Sequence, residues 1–175
     1  MKPGKLAVFG AGHVGPVIAR LAIKAGYPVA IATSGDPEDL ALITELMIPG
    51  AEPRWSGDAV ADADIVVLAL PLHRFGEIDP ALLNGKLVVD AMNYWPATGG
   101  VLEAFSHGGS SEIVARRLPR STVVKALNHI GYHELEDRVR PAKPGQTARC
   151  TSAHRKPSPR KSPPTCAFSE RPGST

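Results

Sequence analysis

Apolar positions along this chain fall into short runs separated by stretches of helical period. Lys5-Leu-Ala-Val-Phe9 is a short apolar run ending in glycine, the pattern of a buried parallel strand. Val14, Val17, Ile18, Leu21, Ala22 and Ala25 then recur along one face of a helix predicted from His13 to Ala25. Pro16 sits in the first turn, where its missing N–H costs no internal bond, and Gly26 supplies the stop. Val29 to Thr33 reads as a second strand. Asp36 and Pro37 suit the cap and first position of a second helix, which runs to about Met47 and stops at Pro49-Gly50. A short third strand near Glu52 to Trp55 and a brief helix near Gly57 to Ala61 follow. Asp64 to Leu70 and Lys86 to Ala91 read as buried strands, Ser110 or Ser111 as the cap of a helix to about Leu118, and Ser121 to Leu127 as a last strand. Strands alternating with helices predict an α/β fold with a doubly wound parallel sheet.

The segment Phe9-Gly10-Ala11-Gly12-His13-Val14-Gly15 is GxGxxG, placed directly after a strand and opening an amphipathic helix. That context is what the Rossmann dinucleotide fingerprint requires. Gly10 makes the tight turn, Gly12 lets a pyrophosphate approach the backbone, and Gly15 lets the helix pack closely on the sheet. The helix N-terminus binds phosphate charge through its N–H groups and dipole. NAD-selective sites place an acid at the end of the second strand. Here Ala32 takes that place, and Thr33 and Ser34 follow, which can hydrogen-bond a 2′-phosphate. The expected dinucleotide is NADP in preference to NAD, although no arginine stands in this turn. Asp36 reads as a helix cap.

Ligands of open α/β sheets lie at the carboxyl ends of the strands. Leu70, Pro71 and His73 follow the fourth strand, Asn93, Tyr94 and Trp95 the fifth, and Asn128 and His129 the sixth. These are the candidates for the nicotinamide and substrate side. Bland roles compete with each: a solvated loop for His73, a closed turn for Asn93, loop packing for Tyr94 and Trp95. His129 and His133 are one helical turn apart but lack a third ligand nearby, so no metal is expected.

Length and charge change the picture at the C-terminal end. The 175 residues, 43% hydrophobic and 5% aromatic, suffice for one domain with an aliphatic core but not for a full second substrate domain. Residues 1–137 carry 11 Lys and Arg against 16 Asp and Glu, a net −5, whereas residues 138–175 carry 9 against one, a net +8. The segment 138–175 also holds seven prolines and both cysteines, Cys150 and Cys166. It is expected to be a disordered basic tail, since it cannot bury enough surface to offset its ordering entropy. Either it touches nucleic acid or another acidic partner, or it is an ending foreign to the fold, such as an out-of-frame reading. The abruptness of the break favours the second. The expected organisation is therefore a dinucleotide-binding domain over 1–137 and a tail over 138–175. With no cysteine before the tail, a reducing, cytoplasmic setting is expected. The longest apolar run, Ile65 to Leu72, is too short to span a membrane. The stretch before Gly10 reads as a strand rather than a signal peptide.

The Val-Phe-Gly-Ala-Gly-His-Val-Gly opening, the Ala-Thr-Ser turn, Ala-Leu-Pro, Asp-Ala-Met-Asn-Tyr-Trp-Pro and Lys-Ala-Leu-Asn-His together resemble the NADP-dependent oxidoreductases of the deazaflavin coenzyme F-420, over about Lys5 to Asp137. The resemblance implies hydride transfer between NADPH and the deazaflavin ring. It places Gly10 to Val14 on the pyrophosphate, Thr33 and Ser34 on the 2′-phosphate, and Pro71, Asn93 and Asn128 beside the nicotinamide. The chemistry belongs to the cofactors, and no general base is required. The arginine common after the second-strand serine in the family is Ser34 here. The C-terminal part with which the family shapes its deazaflavin pocket and its homodimer is replaced by the basic tail. Two other readings stand beside this one: a reductase of a small imine or hydroxy acid on the same frame, and an NADP-binding module without catalysis. The expected partners are small molecules, with nucleic acid reached at most by the tail.

Overall fold

The apolar run after Lys5 forms β1 (Leu6–Phe9), buried on both sides over its whole length. In the computed structural model, which describes residues 4–93, 109–127 and 130–138, it lies at the centre of a six-stranded parallel sheet. The chain continues through α1 (Val14–Lys24), β2 (Val29–Ala32), α2 (Pro37–Met47), β3 (Ala51–Pro53), α3 (Ser56–Ala61) and β4 (Ile65–Leu68). Two 3₁₀ segments follow, Leu72–Glu77 and Pro80–Leu83, then β5 (Leu87–Asp90), α4 (Ser110–Arg117), β6 (Thr122–Lys125) and α5 (Tyr132–Arg138).

The strand order is β3-β2-β1-β4-β5-β6. The chain builds outward from β1 on one side, then returns and builds outward from β4 on the other, so the switch point lies between β1 and β4. Alternation along the strands divides the core into two layers. Ala7, Phe9, Val66, Leu68 and Val88 pack with Ala59 and Val60 of α3, Leu72, Phe75 and Leu83 of the 3₁₀ segments, and Val114 of α4. Leu6, Val8, Val29, Ile31 and Val67 pack on the opposite face with Ile18 and Ala19 of α1. Helices thus cover both faces of one parallel sheet, as the alternation in the sequence predicts.

The strands are shorter than their apolar runs. Each regular ladder spans four residues or fewer, and the flanking positions predicted as strand lead into turns. Single bonds nevertheless extend the ladder at the carboxyl edge: Gly10 N–H to the Ala32 carbonyl (2.9 Å), Ala69 N–H to Phe9 (2.8 Å) and Ala91 N–H to Leu68 (3.0 Å). They hold the exits of β1, β4 and β5 against their neighbours.

One local expectation is corrected, and one helix is added. Neither Ser110 nor Ser111 caps α4; Gly109 takes that position in extended conformation, and both serines lie inside the first turn. The helix α5 goes unforeseen, because Tyr132-His-Glu-Leu-Glu-Asp-Arg138 offers one buried apolar side chain, Leu135. Tertiary contacts hold it instead. Arg20 of α1 donates from Nε to Glu136 at 2.6 Å, and the His13 ring stacks on Tyr132 with centroids 5.2 Å apart. The guanidinium holds the Glu136 carboxyl below its ordinary value. Residues 139–175, and with them nearly all of the expected basic tail, lie outside the described residues.

Among the described residues, one charged pair is buried in the sheet. Asp90 of β5 and Lys125 of β6 stand opposite one another in register, 0% and 7% exposed. Asp90 Oδ1 accepts from Lys125 Nζ at 3.3 Å and from the Met92 N–H at 3.0 Å, while Oδ2 has no partner among the described residues. Lys125 Nζ also donates to the Met92 carbonyl. Burial pushes the Asp90 carboxyl up, against the pull of the nearby ammonium. Together the two side chains fix the path by which the chain leaves β5 toward Asn93.

Candidate functional site

The glycine loop shows three glycines under three different constraints. Gly10 has φ +113°, and a Cβ there would lie 2.5 Å from the Ala69 carbonyl oxygen, so it is confined by both conformation and space. A Cβ on Gly15 would strike the Gly10 carbonyl oxygen, so α1 seats on the loop only because that atom is absent. Gly12 is different: a Cβ there meets nothing within 4 Å. Gly15→Ala is therefore expected to lower folding stability by about 1–3 kcal/mol, the range for overpacking a close contact, which urea denaturation would measure. Unchanged stability would refute the close seating of α1.

A groove of about 620 Å³ runs from Gly10, Ala11 and Gly12 across Thr33 and Ser34 to Leu70 and Pro71. Leu40, Ile43, Ile78 and Leu82 form its apolar end. Seven of the residues singled out from the sequence therefore meet in one place: Gly10, Ala11, Gly12, Thr33, Ser34, Leu70 and Pro71. His13, Val14 and Gly15 form the start of α1 beside it. His13 occupies the cap position without a side-chain hydrogen bond to the helix, and the first turn carries no carboxylate. Val14 packs against the core layer on the α1 face. His73 and Asn93 are exposed and do not line the groove. Asn128, His129, Tyr94 and Trp95 lie outside the described residues. His133 is exposed on α5.

At the end of β2, Thr33 Oγ1 accepts the Gly35 N–H at 3.2 Å and keeps its own hydrogen to donate. Asp36 caps α2 by accepting the Glu38 N–H at 2.9 Å and does not line the groove, in line with its reading as a cap.

The residue that sequence reasoning missed is Arg74. Leu72 and Phe75, three apart in the first 3₁₀ segment, are buried in the core. With three residues per turn, Arg74 and Glu77 share another side, and both line the groove. Arg74 Nη2 donates to Ser34 Oγ at 2.7 Å, across 40 positions of sequence, and to Glu77 Oε2 at 2.8 Å. Arg74 Nε lies 3.2 and 3.1 Å from the two Glu77 carboxylate oxygens. This pairing holds Glu77 below, and Arg74 above, their ordinary values. Arg117 secures the segment from the α4 side, donating to the Gly76 carbonyl at 2.7 Å with its guanidinium over the Phe75 ring. An i, i+3 pair on a turn that reads as a loop gives no warning of this placement.

Among the described residues, no group of three or more His, Cys, Asp and Glu side chains could hold a metal ion, and no helix is long and apolar enough to cross a membrane.

The strand order, the glycine loop between β1 and α1, and a groove across the strands' carboxyl ends define a Rossmann-type α/β domain. The chain belongs to the coenzyme F420-dependent NADP oxidoreductases: residues 5–94 match the model of the family described as "NADP oxidoreductase coenzyme F420-dependent". Among solved structures, it is similar to a protein of Arthrobacter sp. FB24 provisionally named an F420-dependent NADP reductase. That match has 26% identity and a TM-score of 0.66, over 75% of this chain and 66% of the other. It is also similar to a hypothetical protein of Sinorhizobium meliloti, with 30% identity and a TM-score of 0.66, over 76% of this chain and 65% of the other. The chain thus spans just under two thirds of the length of these two relatives. The imine reductase of a Pseudomonas species, at 21% identity and a TM-score of 0.50 over 70% of this chain and 40% of the other, shares the fold. No curated protein matches.

Proposed function

We propose that the groove holds the adenosine and pyrophosphate parts of NADP(H), and that the chain serves hydride transfer between NADPH and the deazaflavin coenzyme F420 or a similar acceptor. The observation that carries this reading is the open face of Gly12 at the groove, beside a helix N-terminus with no carboxylate in its first turn. A Cβ at that point would fill space that a pyrophosphate requires, so the residues fit the group.

Gly10, Ala11, Gly12, His13, Val14 and Gly15 would hold the pyrophosphate through the loop and the first N–H groups of α1. Thr33 and Ser34 would donate to the 2′-phosphate, with no acid at the end of β2 to repel it. Leu70 and Pro71 would meet the nicotinamide half, and His73, Asn93 and Asn128 would lie on that side. When bound, the nicotinamide supplies the hydride chemistry. This chain's residues bind, orient and exclude water, which fits a site with no evident general base. The acceptor is proposed from the family to which the chain belongs. Residues 1–137 are proposed as the dinucleotide-binding unit and 138–175 as a separate tail.

Calorimetric titration of the full chain with NADPH and then NADH tests this reading. Tight NADPH binding and weaker NADH binding are expected, followed by NADPH-dependent reduction of the deazaflavin. Binding without turnover would favour a non-catalytic module, and binding of neither dinucleotide would overturn the proposal.

A further inference from the structure

We infer that Arg74, reaching in from the segment after β4, is the cation that selects for the 2′-phosphate. It stands in for an arginine that the turn after β2 lacks. The inference rests on the dinucleotide reading above and adds to it the residue that separates NADPH from NADH.

Four observations lead to it. Thr33 and Ser34 supply hydroxyls but no positive charge, and a dianionic phosphate held by two hydroxyls alone would be poorly compensated. Arg74 brings a guanidinium to the same place, bonded directly to Ser34 Oγ at 2.7 Å. The guanidinium is also held in a defined position: its Nε and Nη2 sit on Glu77, and its segment is anchored by Leu72 and Phe75 in the core and by Arg117 on the Gly76 carbonyl. Arg74 Nη1 has no partner among the described residues, which leaves donors for an incoming oxygen.

Among the described residues, the other charges lining the groove are Glu77 and Asp79. Asp79 is engaged as the cap of the second 3₁₀ segment, accepting the Ala81 N–H at 2.9 Å. Glu77 acts as a positioning residue. It aims the guanidinium at Ser34, and its own charge is balanced by that same guanidinium. In the absence of Arg74 it would face the phosphate as an unbalanced like charge, so a phosphate-bearing ligand loses both an attraction and a shield. A ligand with only hydroxyls on the ribose loses neither to the same degree.

The test compares NADPH with NADH, and adenosine 2′,5′-bisphosphate with 5′-AMP, on the full chain and on Arg74→Gln. Loss of charge-assisted hydrogen bonds predicts about a ten- to hundredfold weaker affinity for NADPH and for the bisphosphate. NADH and 5′-AMP should change by no more than about threefold, the scale of an exposed charge contact. Arg74→Lys should give an intermediate loss, because it keeps the charge and forfeits the planar fork. The salt dependence of bisphosphate binding should be shallower in Arg74→Gln. Equal weakening of phosphorylated and unphosphorylated ligands would overturn the inference by assigning Arg74 to the adenine or to loop structure. Unchanged NADPH affinity would also overturn it, with the dinucleotide site intact. A wild-type chain that binds neither dinucleotide would remove the underlying reading and this inference together. Circular dichroism of each variant separates loss of binding from loss of fold.

Discussion

Gly12→Val is expected to abolish dinucleotide binding while leaving the protein folded. The three glycines of the loop differ in what they can test. Gly10 and Gly15 each face a carbonyl oxygen of the protein, so a side chain at either position disturbs the fold before any ligand arrives. Gly12 faces open space, and its backbone lies outside the positive-φ region, so a Cβ meets neither a close contact nor an unfavourable backbone there. The new methyl groups would stand over the N-terminus of α1, where a pyrophosphate must approach backbone N–H groups closely. Losing two such charge-assisted contacts corresponds to a loss of about a hundredfold or more in affinity. Calorimetry with NADPH and a thermal melt on the same sample check both halves. Retained affinity in a folded variant would refute the glycine loop as the phosphate site.

Lys125→Met should destabilise the protein by about 3–5 kcal/mol at neutral pH, because it leaves the Asp90 carboxylate buried and unpaired. The Met92 carbonyl loses a donor in the same step. Adding Asp90→Asn should recover most of the loss: asparagine keeps an acceptor for the Met92 N–H and removes the charge. The pH dependence has a definite sign. Burial holds the Asp90 carboxyl above its unfolded value, and loss of the ammonium raises it further. The folded variant therefore binds this proton more tightly than the unfolded chain does. Its stability is greatest below the ordinary carboxylate range and falls as the pH rises through the raised value. Urea denaturation of the single and double variants across acid to neutral pH would show the gap between them closing toward low pH. A gap independent of pH would mean that the cost lies in packing rather than charge.

The pair illustrates how differently features of this molecule are written in its sequence. Asp90 ends a buried apolar run, and Lys125 sits in another, yet neither run says that the two strands are neighbours. Their juxtaposition follows from the sheet order, which no local pattern specifies. The same holds for Arg74. Its neighbours in sequence read as a loop after Pro71, and the period of three that buries Leu72 and Phe75 is too short to stand out. Its partner Ser34 lies in a different turn, brought alongside by the crossover from β3 through α3 to β4.

Local chemistry did determine much. Apolar runs too short for helices, set between stretches of helical period, require a parallel sheet covered on both faces, because such strands must be buried on both sides. Glycines at 10, 12 and 15, after a strand and before an amphipathic helix, locate the groove: at Gly10 and Gly15 only a chain without Cβ atoms can turn and pack that closely, and Gly12 leaves open space beside the helix N-terminus. The ends of the elements were less legible. Ladders stop where hydrogen-bond partners run out rather than where apolar residues do, and α5 is held by an arginine and a stacked ring rather than by its own pattern. Tertiary structure alone decided which polar groups meet: Lys125 with Asp90 beneath the exit of β5, and Arg74 on Ser34. Electrostatic partners are chosen by distance in space, and the sequence records only distance along the chain.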